Sequence, residues 1–290
     1  MQYSVKKSIY VGIVTFNPEL TRLQENLCAI SPQFDCIVIC VFGSLNFKNI
    51  VSLLENYSNI TVLSLQTNSG IAHALNQLMY FGMKHDYDWM LALDQDSVCS
   101  DDYLRKLQRF IDFSHNIGII APTIIDRNIG SVGHEVAHEY RFVRTCITSG
   151  ALYRIDSWSK VDGYDESMFI DSVDFEYCYR IRKAGFKILL AKEPRLLQEV
   201  GHSEYRRFLF FKVLVNNHSA FRKFYIARNN VYFPLKHHLS LFFIRGVLRN
   251  ILLLLKITLY ETDKKKKIKS SISGWREGMR AGLEGGKNAH

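Results

Sequence analysis

Cysteine and proline are scarce, with 6 Cys and 5 Pro in 290 residues. The cysteines, at positions 28, 36, 40, 99, 146 and 178, form no CxxC pair, and several stand inside apolar runs. That spacing offers neither a zinc ribbon nor a disulfide frame, so they read as reduced core thiols of a cytoplasmic protein. No apolar stretch reaches the roughly 18 uncharged residues of a spanning helix. The N-terminal MQYSVKKSIYVGIVTFNP lacks a small-residue cleavage site, and Asn17-Pro18 ends its apolar run. It reads as a buried first strand, not a signal peptide. No internal repeat is visible, and no motif supplies a Ser-His-Asp or Cys-His nucleophile. With 47% apolar and 13% aromatic residues the chain is not disordered. Its length suits one large α/β domain with an appendage.

Charge is unevenly spread. The formal net charge is +9, yet from Asn216 onward there are 15 Lys+Arg against 4 Asp+Glu, leaving 22 against 24 in Met1–Val215. The basic character belongs to the last quarter of the chain. Such a tail points to an anionic partner, lipid or nucleic acid.

The body alternates strands and helices. Ser8–Thr15, Asp35–Phe42, Ile60–Leu65 and Trp89–Leu93 are apolar runs that predict strands. Helical spacing separates them at Glu19–Ile30, Phe47–Tyr57 and Ile71–Lys84. The pattern predicts an α/β fold, a mostly parallel Rossmann-like sheet with helices on both faces. Ligands of such sheets bind outside the carboxyl ends of the strands, where Thr15, Gly43, Asn68 and Asp94 fall. Further on, strands are expected at Ile117–Ile125, Ile147–Tyr153 and Phe186–Ala191. A helix is expected at Val173–Ala184, with Gly185 as its C-cap.

Three groups of residues can carry chemistry. In Asp94-Gln95-Asp96, two carboxylates at i and i+2 just past a buried strand can converge on a hard cation, Mg²⁺ or Mn²⁺, to which a diphosphate adds oxygens. The plainer reading is a loop start in which Asp96 caps the next helix. Asp171, Asp174 and Glu176 cluster at a helix entrance amid Phe169, Ile170, Phe175 and Tyr177. The helix dipole favours one acidic residue there, and a carboxylate in a partly apolar cleft suits a general base. His202 stands alone in Glu199-Val200-Gly201-His202, and a lone His is most often structural.

Taken in order, the stretches VTFNP (14–18), NSGIAHALNQ (68–77), LDQDS (93–97), SGALYR (149–154), VDGYDESMFIDSVDFEYCYRIRKAGF (161–186) and ARNNVYF (227–233) resemble a known family. It is the family 2 inverting glycosyltransferases of the GT-A fold, in the branch of bacterial rhamnosyltransferases. The resemblance covers roughly Ile9 to Phe233. It implies that Asp94 and Asp96 form the DxD motif, with Asp96 on the metal and Asp94 on the donor ribose or sugar or on the metal. It makes His202 a third metal ligand and Asp174 the base that deprotonates the acceptor hydroxyl. Thr15, Phe16 and Asn17 would hold the nucleotide. Asn68, Gly70, Asn76 and Gln95 would line the donor site, with Gly150 facing sugar and acceptor. Asp171 and Glu176 are acceptor-side candidates.

One departure concerns the base. Where the family often has an Asp-Asn pair after the second strand, this chain has Val41 and Phe42, so Phe42 or Phe16 is expected to stack on the pyrimidine. The resemblance implies transfer from dTDP-L-rhamnose, or alternatively from a UDP-sugar, to a hydroxyl of a lipid-linked surface polysaccharide.

The tail, Leu239–Tyr260, is strongly apolar, with Arg245, Arg249 and Lys256 on one helical face and Lys264–Lys267 and Lys269 following. That pattern suits a helix lying in a membrane interface at the cytoplasmic face of the cell membrane. A helix packed on the catalytic domain, or on a second subunit as a homo-oligomer contact, is the alternative. The expected division is a catalytic domain at 1–215 and a helical basic region at 216–290, with Gly285-Gly286 as a frayed end. A nucleic-acid-binding protein is the competing class, against which the near-neutral body and the lack of a nucleic-acid module both argue.

Overall fold

Ile9–Thr15 forms the first strand, β1, at the centre of the sheet because every second residue has an apolar layer to fill on either side. Val11 and Ile13 face one layer, while Tyr10 and Gly12 face the other. In the computed structural model the described residues are 7–127, 130–132, 136–198, 203–208 and 211–287. They form two compact units, residues 1–167 with 174–199, and residues 168–173 with 200–290. The division at Glu199/Val200 lies ahead of the boundary expected at residue 215.

In the first unit α1 (Leu20–Ile30), β2 (Ile37–Phe42), α2 (Phe47–Leu54), β3 (Ile60–Leu65), α3 (Ile71–Lys84) and β4 (Trp89–Asp94) follow β1. Then come β5 (Val98–Cys99), α4 (Tyr103–Gln108), β6 (Ile117–Asp126), β7 (Gly130–Val132), β8 (Tyr140–Val143), β9 (Leu152–Arg154), α5 (Ile155–Lys160), α6 (Val173–Lys183) and β10 (Lys187–Gln198). The strands order as β3-β2-β1-β4-β9-β6-β10-β5, with β7 beside β6 and β8 beside β10. β3, β2, β1 and β4 run parallel, as do β6 and β10, while β9 is antiparallel to both its neighbours. This is the mixed, mostly parallel α/β sheet that the alternation implied.

One apolar layer joins Leu23, Leu27 and Ile30 of α1 and Ile50 of α2 to Val11, Ile37 and Leu91 of the sheet, all buried. On the opposite face α3 packs so closely that a Cβ on Gly12 would meet Leu78 and Met90 at 2.7–3.1 Å.

Several expectations need correction. β3 is an edge strand with Thr61 and Ser64 exposed, not apolar on both faces. The strand expected at Ile147–Tyr153 is only β9, because Gly150 at φ +81° turns the chain just before it. The strand expected to end at Ala191 runs on to Gln198 as β10, since β6 continues beside it past an irregularity between Leu190 and Arg195. Cys28 is exposed, not a core thiol.

The second unit holds the hairpin β11 (Ser203–Phe208) and β12 (Phe211–Asn216), then α7 (Ala220–Lys236), α8 (Ser240–Tyr260) and α9 (Lys264–Lys287). The lysine run and Gly285-Gly286 lie inside helix α9, so Gly285-Gly286 are not a frayed end. Gly274 and Gly278 let α9 lie directly on the α7 backbone, where any Cβ would strike the carbonyls of Phe224 and Arg228. Lys267 is buried between Glu261 (3.1 Å) and Asn217, and Lys223 is buried against Glu261 at 2.5 Å. The exposed lysines are Lys264, Lys265, Lys266 and Lys269. Among the described residues no helix is long and apolar enough to cross a membrane.

Candidate active site

The carboxyl ends of β1, β2 and β4 come together because all three run parallel and in register, Thr15 beside Val41 and Val14 beside Asp94. The loops that follow brace one another. Phe16 N–H donates to Gln95 Oε1 (2.9 Å), Asn17 N–H to Ser44 Oγ (3.0 Å) and Leu45 N–H to Asn17 Oδ1 (2.7 Å). Asn17 adopts φ +45°, a conformation that Asn tolerates better than most residues. Gly43, at φ +62°, sits where a Cβ would be 2.9 Å from the Asn68 nitrogen. Its missing side chain brings the loop after β2 against the Asn68 turn. Thr15 is fully buried, its hydroxyl donating to Cys40 O at 3.2 Å, so it holds β1 to β2. Phe16 stacks on Phe42 with centroids 5.5 Å apart and planes 16° from parallel. Phe42 is buried under it, and Phe16, 41% exposed, offers the outer face.

Asp94 ends β4 and is tethered at every backbone atom that can be tied. Its N–H donates to Ser149 Oγ (3.0 Å), which also meets Ser97 Oγ (2.8 Å), and its carbonyl accepts from Asn26 Nδ2 (2.8 Å). Ser97 N–H closes the turn on Asp94 O at 3.3 Å. Asp94, Gln95 and Asp96 are all partly exposed within this rigid turn. Gly150 supports it from behind. Its N–H donates to Ala92 O, its carbonyl accepts from Tyr103 Oη (2.8 Å), and a Cβ there would lie 2.5 Å from that hydroxyl.

α3 begins at Gly70 (φ +96°), after an Asn68 side chain that accepts from Gly70 N–H at 3.0 Å. A helix N-terminus presents backbone N–H groups that have no partner within the helix and that favour an anion. Asn76, two turns in, is spent inside the protein. Its Nδ2 donates to Tyr164 O (3.0 Å) and Glu166 Oε1 (2.8 Å), and its Oδ1 accepts from Trp158 Nε1 (3.1 Å) and Tyr164 N–H (2.8 Å). All four of its hydrogen-bonding positions are filled. It clips the 158–166 segment to α3 and has nothing left for a ligand. Glu166 also meets His73 Nδ1 at 2.8 Å. Burial would raise its carboxyl pKa, but the hydrogen bonds from Asn76 and His73 outweigh that and hold it low.

The acidic cluster divides into three roles. Glu176 is fully buried and gripped by Arg180, whose Nε and Nη2 reach both its oxygens at 2.7–2.9 Å. Asp171 is ion-paired with Arg222, 3.0 Å from its Nη2. Asp171 and Ser172 adopt φ +66° and +62°, and Asn229 Nδ2 holds this turn by the carbonyls of Ile170 and Asp171 at 2.8–2.9 Å. Both acceptor-side candidates are thus committed to ion pairs within the chain. Asp174 is partly buried in the first turn of α6, with Oδ1 accepting from Phe175 N–H at 2.9 Å. Near it lies the buried ring of Tyr153, which packs against Tyr177 and Tyr164, and burial raises the pKa of all three phenols.

Gln198 and Ser149 were missed by sequence reasoning. Gln198 Nε2 donates to Asp94 Oδ2 at 2.9 Å. No motif marked it, because the strand that delivers it was expected to stop at Ala191. Ser149 lay within the SGALYR stretch without an assigned role. Among the described residues no three His, Cys, Asp or Glu side chains form a ready-made cation cage. Asp94 and Asp96 by themselves suit a hard cation that keeps phosphate oxygens as its remaining ligands. His202 lies outside the described residues.

The family model of Glycosyl transferase family 2 matches residues 10–160. A dTDP-rhamnosyl transferase, RfbF of Shigella flexneri, is 26% identical over 97% of this chain and 98% of its own length. Among solved structures, residues 1–349 of TarS from S. aureus align with a TM-score of 0.53 at 14% identity, over 92% of this chain and 71% of that one. The mannosyltransferase PcManGT of Pyrobaculum calidifontis, solved with GDP-Man and Mn2+, aligns at 0.57 and 11% identity, over 93% and 74%. These structures share the GT-A fold.

Proposed function

Because the chain belongs to glycosyl transferase family 2, we propose that it is an inverting, metal-dependent rhamnosyltransferase that uses dTDP-L-rhamnose. The observation that carries the proposal is the rigid Asp94-Gln95-Asp96 turn at the strand ends, backed by the full-length similarity to a dTDP-rhamnosyl transferase. A UDP-sugar is the second choice of donor.

In this reading the base stacks on the outer face of Phe16, and the diphosphate runs from the first turn of α3 towards Asp96. Asp94 and Asp96 would hold Mg²⁺ or Mn²⁺, which would shield the charge on the leaving diphosphate. Asp174 takes the proton of the acceptor hydroxyl. The hydroxyl oxygen forms its bond to the anomeric carbon from the face opposite the diphosphate, and the bond to the phosphate oxygen breaks. The centre inverts in one displacement, with no covalent enzyme intermediate. General-base assistance of this kind is worth about 10²–10⁴-fold. Asp171 and Glu176 shape the α6 entrance through their ion pairs and do not exchange protons with substrate.

The acceptor in this reading is a lipid-linked saccharide, and α8 brings the enzyme to its membrane. Leu241, Ile244, Leu248, Leu252, Leu255 and Leu259 form one outward face, each half exposed or more, flanked by Arg245 and Arg249. An apolar stripe with a cationic flank suits an anionic bilayer surface at the cytoplasmic side. The testing experiment is isothermal calorimetry with nucleotide sugars at saturating Mn²⁺. Selective binding of dTDP-L-rhamnose supports the donor, selective binding of a UDP-sugar transfers the assignment to it, and binding of neither refutes both.

A further inference from the structure

Gln198 ends β10, the strand whose residues Leu196 and Leu197 pair with Cys99 and Val98 of β5. Because β5 begins four residues after Asp94, this pairing fixes both ends of the Asp94–Ser97 turn to the sheet and places Gln198 against Asp94. The Gln198 side chain is 9% exposed. Its Nε2 donates to Asp94 Oδ2 at 2.9 Å. An ionised carboxylate only accepts hydrogen bonds, so the amide is fixed with its nitrogen towards Asp94 and its oxygen away. That oxygen, Oε1, is buried and has no hydrogen-bond partner among the described residues. A buried carbonyl left unpaired is costly, and in native proteins such a group calls for a ligand, water or ion.

We propose that Gln198 is a donor-site residue. Its amide nitrogen locks the Asp94 carboxylate in one orientation, and its Oε1 accepts a hydrogen bond from a hydroxyl of the nucleotide sugar, on the ribose or on the transferred sugar. A hydroxyl suits Oε1 because it supplies the one donor that this amide oxygen lacks. This inference rests on the donor reading of the Asp94 turn and adds to it a neutral acceptor that no acidic motif reveals.

The test compares wild type, Gln198→Leu and Gln198→Glu. Leu keeps the bulk and removes both polar atoms. Glu keeps the shape, loses the N–H and sets a second carboxylate against Asp94. Affinities for dTDP, UDP and their sugar conjugates are measured by calorimetry at saturating Mn²⁺, with Mn²⁺ affinity read separately by electron paramagnetic resonance and folding by thermal melting. Both variants are expected to bind the nucleotide sugar about tenfold or more weakly, as loss of a hydrogen bond with a charged or desolvated partner implies. In Gln198→Leu, which adds no charge, Mn²⁺ binding in the absence of nucleotide should change little; in Gln198→Glu the added carboxylate beside Asp94 should shift it. A loss confined to the sugar conjugates assigns Oε1 to a sugar hydroxyl, and an equal loss for UDP assigns it to the ribose. If a folded variant binds the nucleotide sugar like wild type, the inference is overturned. If Mn²⁺ affinity alone falls, Oε1 is a cation ligand and the hydroxyl assignment is wrong. Failure of wild type itself to bind any nucleotide sugar would instead sink the donor reading.

Discussion

Phe16 covers Phe42 ring on ring, 5.5 Å between centroids, so one aromatic is spent in the core and its neighbour is left as the exposed face. This relationship separates two residues that the sequence offered as interchangeable stacking partners. Phe16→Ala should leave the melting temperature nearly unchanged and weaken nucleoside diphosphate binding about 3- to 10-fold, the range of one aromatic stacking contact. Phe42→Ala should cost about 3–5 kcal/mol of stability in urea titration, as a buried ring does. Equal effects from both would contradict the division.

Glu176 and Arg180 form a buried pair within one helix, with side chains 0% and 17% exposed. Removing one partner strands the other charge. Glu176→Gln should therefore destabilise the protein by about 3–5 kcal/mol. Transfer per folded molecule should fall far less than in Asp174→Asn. Denaturation midpoints alongside activity at a temperature below both melts will separate the roles.

Glu166 is held below the usual glutamate pKa of 4.5 by Asn76 and His73 in spite of partial burial. A carboxylate with a depressed folded pKa adds stability above pH 4.5 and loses it as the pH falls through the folded value. Urea midpoints at pH 7 and pH 3 should therefore differ more in wild type than in Glu166→Gln. Parallel loss in both proteins would show that the Asn76 clip does not depend on this charge.

The outward face of α8 should bind vesicles that contain anionic lipid and not neutral ones, with binding that falls as salt rises. Leu248→Ser with Leu252→Ser should abolish pelleting and leave nucleotide binding intact. If the double variant instead turns a dimer into a monomer and wild type ignores vesicles, the face pairs with a second copy. The seven-residue spacing of Leu241, Leu248 and Leu255 would permit that pairing.

Much of the fold was legible because the first, second and fourth strands are continuous apolar runs, the third is rich in β-branched residues, and the helices between them are periodic. The strand ends at Thr15, Gly43, Asn68 and Asp94 were legible for the same reason. The fate of polar side chains was not. Asn76 and Asn17 sit in similar motif positions, yet Asn76 is consumed by Trp158, Tyr164 and Glu166, which lie more than 80 residues away. Glu176 looks like a second base until Arg180, one turn later, is seen to close on it. Gln198 was hidden because its strand continues through a stretch that carries Pro194, and no periodicity signals an amide that crosses to a carboxylate 104 residues earlier.

The most direct test of the account is the anomeric configuration of the product, read by NMR after transfer from dTDP-L-rhamnose with Mn²⁺ and a lipid-linked saccharide, for wild type and Asp174→Asn. The account predicts an inverted linkage in wild type. In Asp174→Asn it predicts a rate lower by about 10²-fold or more with donor binding unchanged. A retained configuration, or full transfer by Asp174→Asn, would contradict it.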